Sequence, residues 1–354
     1  MQDLIRAPLV IALLSGCTAS PMLKYSLDVP AQTMSVLDAP DVQDGRARFR
    51  EIFCSTLHEH PDRKRRGCDE LLHRLRDEAP SAPQPGPPPA PDHRLRLVFV
   101  TGLFNDCAST VALPFETAVA HLRSLGYSAE ILSVSGRSSS SYNAASIAEI
   151  VSQTPDADQR LVLVGYSKGA VDILEFMVAY PDLAKRVSAV VSVAGAINGS
   201  PVADVAAPFY QRSLKDVSLP GCAPGDGGAL ASLARPARLN WLVTNRLPNA
   251  RYFSLVSFTR SDTVSSPLRP FAAALAEIDP RNDGQLLFYD QVIPGATLLG
   301  YVNADHWAVA VPIEEKRPVL ATLVTGHNWF PRDMLAEAIA LYLSEQLAAE
   351  QDTR

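Results

Sequence analysis

The chain is 354 residues long, 47% apolar and 20% charged, with a formal net charge of −6. That length accommodates one large domain plus an extension and excludes a chain too short to build a core. A mildly acidic chain whose one dense basic run is Arg63-Lys64-Arg65-Arg66 carries no electrostatic footprint for nucleic acid, and the run reads as a solvated loop.

The first seventeen residues read as a targeting segment. Leu9 to Leu14 is an apolar run too short to cross a bilayer as a permanent helix, and Leu14-Ser15-Gly16-Cys17 completes it. That tetrad resembles the lipobox of bacterial lipoproteins. The resemblance implies lipidation at Cys17, an N-terminal membrane anchor and, with Thr18 next, outer-membrane sorting. An ordinary cleaved secretory signal is the alternative, giving a secreted or periplasmic protein.

Residues 18–45, with scattered Pro, Asp and Ser, read as a tether. Phe49, Ile52, Phe53 and Leu57 follow helical spacing, as do Leu71, Leu72 and Leu75, so a small helical hairpin is expected. His58, His60 and His73 fall in this stretch. Without a carboxylate or cysteine cluster at ligand spacing they read as surface residues. Pro80 to Pro91 holds seven prolines in twelve residues, a stiff linker and the clearest boundary in the chain. The division is therefore 1–17 signal, 18–92 tether, hairpin and linker, and 93–354 main domain.

Besides Cys17 the chain has Cys54, Cys68, Cys107 and Cys222, an even number suited to an oxidising compartment. Three pairings are open. Cys54 with Cys68 is favoured by proximity, which leaves Cys107 with Cys222. The spacing lacks the short paired intervals of a zinc site.

The main domain begins with the strand Leu95 to Val100 and runs into Thr101-Gly102-Leu103-Phe104. A helix over Pro114–Leu125, a strand over Ala129–Val134 and a helix over Ala144–Val151 follow. Leu161 to Val164 is a strand buried on both faces. It meets Gly165-Tyr166-Ser167-Lys168-Gly169 and then the helical run Ala170 to Tyr180. Strand, tight turn and helix around G-x-S-x-G form a nucleophile elbow, which strains the serine backbone and lifts its hydroxyl clear of the sheet. The flanking glycines remove side chains where strand and helix nearly collide.

Val187 to Ala194 is another buried strand, and the alternation of strands and helices means a parallel sheet with right-handed crossovers. Residues 196–250 break the rhythm with helical stretches Pro201–Tyr210 and Leu230–Leu239, and read as a lid over the sheet's carboxyl edge. Arg251 to Phe258 and Thr297 to Val302 are the last strands, and Met334 to Leu347 closes the chain as an amphipathic helix.

From about residue 95 to 310 the chain resembles the α/β-hydrolases, and more narrowly the bacterial triacylglycerol lipases and related secreted esterases. Five local matches carry the resemblance, in order: Val98-Phe99-Val100-Thr101-Gly102-Leu103, the elbow, Ile197-Asn198-Gly199-Ser200-Pro201-Val202-Ala203-Asp204, Arg251-Tyr252-Phe253-Ser254, and Asn282-Asp283-Gly284. It implies a mostly parallel sheet with helices on both faces and a lid, preceded here by the helical N-terminal extension. It also implies an ester or lipid substrate and no cofactor.

A serine hydroxyl needs an imidazole to take its proton, and the order Ser, Asp or Glu, His must hold. Ser167 is the nucleophile. His306, directly after the last strand, is the base, with His327 as the other downstream histidine. Asp283 matches the family's Asn-Asp-Gly as the acid. Asp262, just past the Phe253 strand, is the alternative, and Asp305 is set aside because adjacent side chains on a loop seldom meet. The oxyanion hole takes backbone N–H groups of Lys168 and Leu103, with Phe104 next. The Lys168 side chain reads as a solvated helix residue, the other reading being a cation near the substrate carbonyl. Ala308 stands where the lipases place a calcium-binding Asp, so no metal is expected.

The reading is a serine hydrolase of carboxylic esters acting through an acyl-enzyme. The alternatives are deacylation of a lipid anchor, phospholipid or polyester, or a non-catalytic envelope-binding protein reusing the fold. The N-terminal hairpin is a candidate docking module for an unidentified protein partner.

Overall fold

Uninterrupted apolar runs become the strands of one sheet, because only segments apolar on both faces can lie between two helix layers. In the computed structural model, residues 41–61, 66–76, 78–80, 88–108, 111–153, 158–217, 222, 224–326 and 329–348 are described. The lipobox with Cys17, Arg63 to Arg65, the middle of the proline-rich stretch and His327 lie outside them. The strands are β1 (Gln43–Asp44), β2 (Leu72–His73), β3 (Leu95–Val100), β4 (Ser128–Leu132), β5 (Arg160–Tyr166), β6 (Val187–Val193), β7 (Arg251–Phe258) and β8 (Thr297–Asn303).

Their order is β1-β8-β7-β6-β5-β3-β4, all parallel, with β2 antiparallel on β8. After β1 and β2 at the far edge, the chain runs through β3, steps outward to β4, then returns past β3 to β5, where Val98 of β3 pairs with Leu163. The loops after β3 and β5 therefore diverge at the carboxyl edge, the topological switch point where open parallel sheets hold ligands.

Helices cover both faces. Helices Arg46–Glu59, Glu116–Ser124 and Arg332–Ala348 pack on one face. Ser140–Ser152 and Lys168–Ala179 pack on the other, joined by Leu242 from helix Arg235–Thr244. Two disulfides form, Cys54–Cys68 and Cys107–Cys222, which suggest an extracellular or periplasmic protein. No helix among the described residues is long and apolar enough to cross a membrane.

The N-terminal stretch differs from the expected hairpin. Its first arm is helical, but the second leaves the helix after Leu71 and becomes β2, pairing Leu72 with Val302. The open edge of β8 offers unpaired backbone groups, and a backbone ladder there outweighs the short helical pattern. Residues 43–44, expected in the tether, extend the same edge as β1. Phe49, Ile52, Phe53 and Leu57 are buried in the main core, with Phe53 stacked on Phe330 at 6.1 Å. This layer also explains the terminal helix, which is not amphipathic. Fourteen of its seventeen residues are buried, because helix Arg46–Glu59 covers the side that would otherwise face water. His73 is likewise no surface residue. Its ring stacks on Phe258 at 4.2 Å and its Nε2–H donates to the Phe258 carbonyl at 3.1 Å.

Candidate active site

The turn between β5 and helix Lys168–Ala179 places Ser167 at φ 55°, ψ −122°. This left-handed conformation is costly for a side-chain-bearing residue and is held by its surroundings. Ser167 N–H donates to the Val193 carbonyl, and the Ser167 carbonyl accepts from Ala196 N–H. The two elbow glycines are explained by close approach. A Cβ on Gly165 would collide with Ala170 Cα, and one on Gly169 with the Val100 carbonyl oxygen of β3.

His306 follows β8 and meets Ser167 across the carboxyl edge. Its Nε2 lies 2.8 Å from Ser167 Oγ and its Nδ1 2.7 Å from Asp283 Oδ2. Because a carboxylate only accepts, Nδ1 carries the proton and Nε2 accepts from the serine hydroxyl. Asp283 is fully buried and its charge is shared among donors. Oδ2 also accepts from Ser257 Oγ at 2.9 Å, and Oδ1 accepts from Gln285 N–H at 2.9 Å and Leu286 N–H at 2.7 Å. Tyr166 OH donates to the His306 carbonyl at 2.5 Å, fixing the loop from the elbow side.

Asp262 does not reach the site. It is exposed, and among the described residues its carboxylate bonds Arg260, which precedes the short 3₁₀ turn that holds it. Asp305 has a role the sequence did not suggest. Its buried carboxylate accepts from Ser265 N–H and Oγ–H and from the N–H groups of Trp307 and Ala308 at 2.6–3.0 Å, clamping the turn that presents His306. Burial pushes its pKa up against those four donors.

Lys168 is neither solvated nor near the substrate space. Its side chain is wholly buried and its Nζ donates to Asp172 Oδ1 at 2.6 Å, one helical turn on, while Asn143 Nδ2 donates to Asp172 Oδ2 at 2.7 Å. The residue after the elbow points back between two packed helices, so a charge there must be paired. The backbone N–H of Phe104 is committed to the Gly136 carbonyl. Those of Leu103 and Lys168 have no protein acceptor among the described residues.

A cavity of about 390 Å³ opens over Ser167. Beyond Ser167, His306, Tyr166 and Gln285 its lining is apolar, chiefly Leu103, Phe104, Val111, Trp307, Val311 and Leu320. Among the described residues, none of those from 196 to 250 lines it. That insertion instead packs Ala207, Tyr210 and Leu230 against the outside of Leu103 and Phe104. One side of the cavity wall comes from the loop over residues 102–114 and the other from the segment after His306, including the short helices Ile313–Lys316 and Pro318–Val324. Buried Arg332 holds this segment through the Ala308 carbonyl, Glu314 and Glu315, and Ser266 Oγ donates to the Leu323 carbonyl at 2.9 Å. The only advance signal was the apolar run Val319-Leu320 with Leu323 between two loops.

Among solved structures, the chain is 41% identical to the metagenomic carboxyl esterase MGS0156, covering 92% of this chain and 97% of that one at a TM-score of 0.82. It is also similar in fold to the mature form of Bacillus licheniformis lipase BlEst2, at 21% identity over 68% of this chain and 96% of that one, TM-score 0.51. No family model and no curated relative matches it. The sheet order, the strained elbow and the near full-length likeness to a carboxyl esterase together establish that the chain belongs to the α/β-hydrolase superfamily, as a carboxylic ester hydrolase.

Proposed function

We propose that the protein cleaves neutral carboxylic esters through a seryl acyl-enzyme, with Ser167 as nucleophile, His306 as general base and acid, and Asp283 as the group that orients His306. The observation that carries this reading is the continuous hydrogen-bonded chain from Ser167 Oγ through both ring nitrogens of His306 to Asp283. Ser167 Oγ attacks the ester carbonyl while His306 Nε2 takes its proton. The resulting oxyanion is received by the N–H groups of Leu103 and Lys168, and His306 returns the proton to the leaving alcohol. Water then attacks the acyl-enzyme by the same route, releasing the acid.

The cavity favours an uncharged, apolar acyl group. Among the described residues its lining contains no lysine or arginine, so a phosphate or carboxylate drawn into it finds no counter-charge there. Turnover of p-nitrophenyl esters of graded acyl length tests this. The expected profile peaks at medium chains and drops for acyl groups bearing a terminal carboxylate. A profile that favours the carboxylate-bearing esters would overturn the neutral-substrate reading.

We further propose that the protein is exported and anchored through acylated Cys17. The support is the lipobox sequence together with two disulfides that suit an oxidising compartment. Incorporation of labelled palmitate into the full chain, abolished by Cys17→Ser, is the expected result. Equal labelling of both proteins would contradict it.

A further inference from the structure

On the helical face built by the N-terminal layer, away from the cavity, three side chains distant in sequence converge on one point. His60 caps the C-terminal end of helix Arg46–Glu59, His121 lies in helix Glu116–Ser124, and Glu337 lies in helix Arg332–Ala348. His121 Nε2 is 2.5 Å and His60 Nε2 3.4 Å from the same oxygen, Glu337 Oε2. The two imidazole planes cross at 80° with centroids 5.5 Å apart, and all three donor atoms lie within 4.8 Å of one another.

We propose that His60, His121 and Glu337 form a binding site for a divalent transition-metal ion, Zn²⁺ by its ligand set, which ties the N-terminal helix to the body of the fold. Two imidazoles and one carboxylate are a borderline-soft donor set of the kind zinc takes, with a fourth position left for water. Bond lengths of about 2.0–2.1 Å in a tetrahedron put donor atoms roughly 3.3 Å apart. The His60–Glu337 separation already has that value. His121 and Glu337 must part by less than about 1 Å, which a small side-chain rotation supplies.

Charge points the same way. The Glu337 side chain is 9% exposed, and its ion-pair partners among the described residues are these two imidazoles, with no lysine or arginine. A dication bound there balances the buried carboxylate and uses both rings as ligands. The His60 side chain is 30% exposed, so an ion has an entry path. None of the three residues lines the cavity over Ser167, which makes the role a staple between helices and not part of ester cleavage. The rival arrangement is a plain His121–Glu337 hydrogen bond with His60 packed beside it and no ion.

The test uses the full-length protein without a histidine tag, stripped of metal with chelator and titrated with Co²⁺ and then Zn²⁺. The expected result is one equivalent of Co²⁺ with the visible absorption of a tetrahedral site, displaced stoichiometrically by Zn²⁺. Saturating Zn²⁺ should raise the thermal midpoint by about 3 °C or more. His60→Ala, at a partly exposed position, should lose at least tenfold in Zn²⁺ affinity and the thermal shift, while keeping wild-type ester turnover. Glu337→Gln should lose both as well, and His121→Asn serves if that variant does not fold. Absence of binding at 100 µM metal, or wild-type binding in His60→Ala and His121→Asn, would overturn the proposal.

Discussion

Asp283 and His306 are bonded to each other twice. Asp283 Oδ2 accepts from His306 Nδ1–H at 2.7 Å, and the Asp283 carbonyl accepts from His306 N–H at 2.8 Å. The second bond fixes the loop and the first fixes the ring, so the imidazole has one tautomer and one orientation toward Ser167. The main-chain bond survives replacement of the carboxylate, which separates electrostatic from structural consequences of mutating this residue.

Asp283→Asn should therefore fold normally and lose about 10³–10⁴-fold in kcat with little change in KM, because an amide favours the wrong tautomer of His306. Asp262→Asn should stay within about twofold of wild type, since among the described residues Asp262 bonds its exposed neighbour Arg260. Steady-state kinetics on a p-nitrophenyl ester checks both, and equal losses in the two variants would contradict the assignment.

The wall formed after His306 should set acyl length. Val311 and Leu320 line the cavity on that segment, and a tryptophan at either position fills space that long chains need. Val311→Trp should shift the optimum toward short acyl esters by raising KM for long ones more than tenfold, a loss of roughly 1.4 kcal/mol or more of binding. The same substitution at Val243, which is exposed in the 196–250 insertion, should leave the profile unchanged.

The N-terminal layer should be indispensable to stability. Phe53 is fully buried between Phe49 and Phe330, so Phe53→Ala should cost about 3–5 kcal/mol in urea unfolding. A chain beginning at residue 93 exposes the covered side of helix Arg332–Ala348 and strips the β8 edge, and is expected to aggregate. A soluble, fully active 93–354 fragment would show that this layer is dispensable.

Burial lowers the pKa of His73 to about 4, against 6.5 for a free imidazole. The unfolded chain then takes up a proton near pH 6.5 that the folded chain refuses until about pH 4. The contribution to stability is therefore full above pH 6.5 and lost as pH falls through that window. Asp290, raised by burial to about 6, has the opposite slope, so the comparison must be between variants. Relative to His73→Phe, which keeps the stack on Phe258 without titrating, wild type should lose on the order of 3 kcal/mol between pH 7 and pH 4. Parallel stability curves would contradict the burial of His73.

The central sheet and the elbow were legible because both depend on local pattern. Apolar runs buried on both faces admit few alternatives, and G-x-S-x-G between a strand and a helix has a steric reason at each glycine. His306 and Asp283 were legible through their order and through the resemblance carried by Asn282-Asp283-Gly284. What stayed hidden depends on tertiary context. Nothing local says that Leu72 pairs with Val302 or that the terminal helix is covered on all sides. The same holds for Lys168, whose partner Asp172 is visible one turn on only once the helix is known to be buried there. The contribution of the two short helices after His306 to the cavity depends on Arg332, which anchors that segment from a position distant in sequence.

The proposed chemistry begins at Ser167 Oγ. Wild-type protein treated with a fluorophosphonate probe, digested and mapped by mass spectrometry should carry one adduct, on the peptide containing Ser167. Labelling should be absent in Ser167→Ala and slowed by more than about 10²-fold in His306→Ala, which removes the base that activates the hydroxyl. An adduct on another residue, or ester turnover undiminished in Ser167→Ala, would contradict the account.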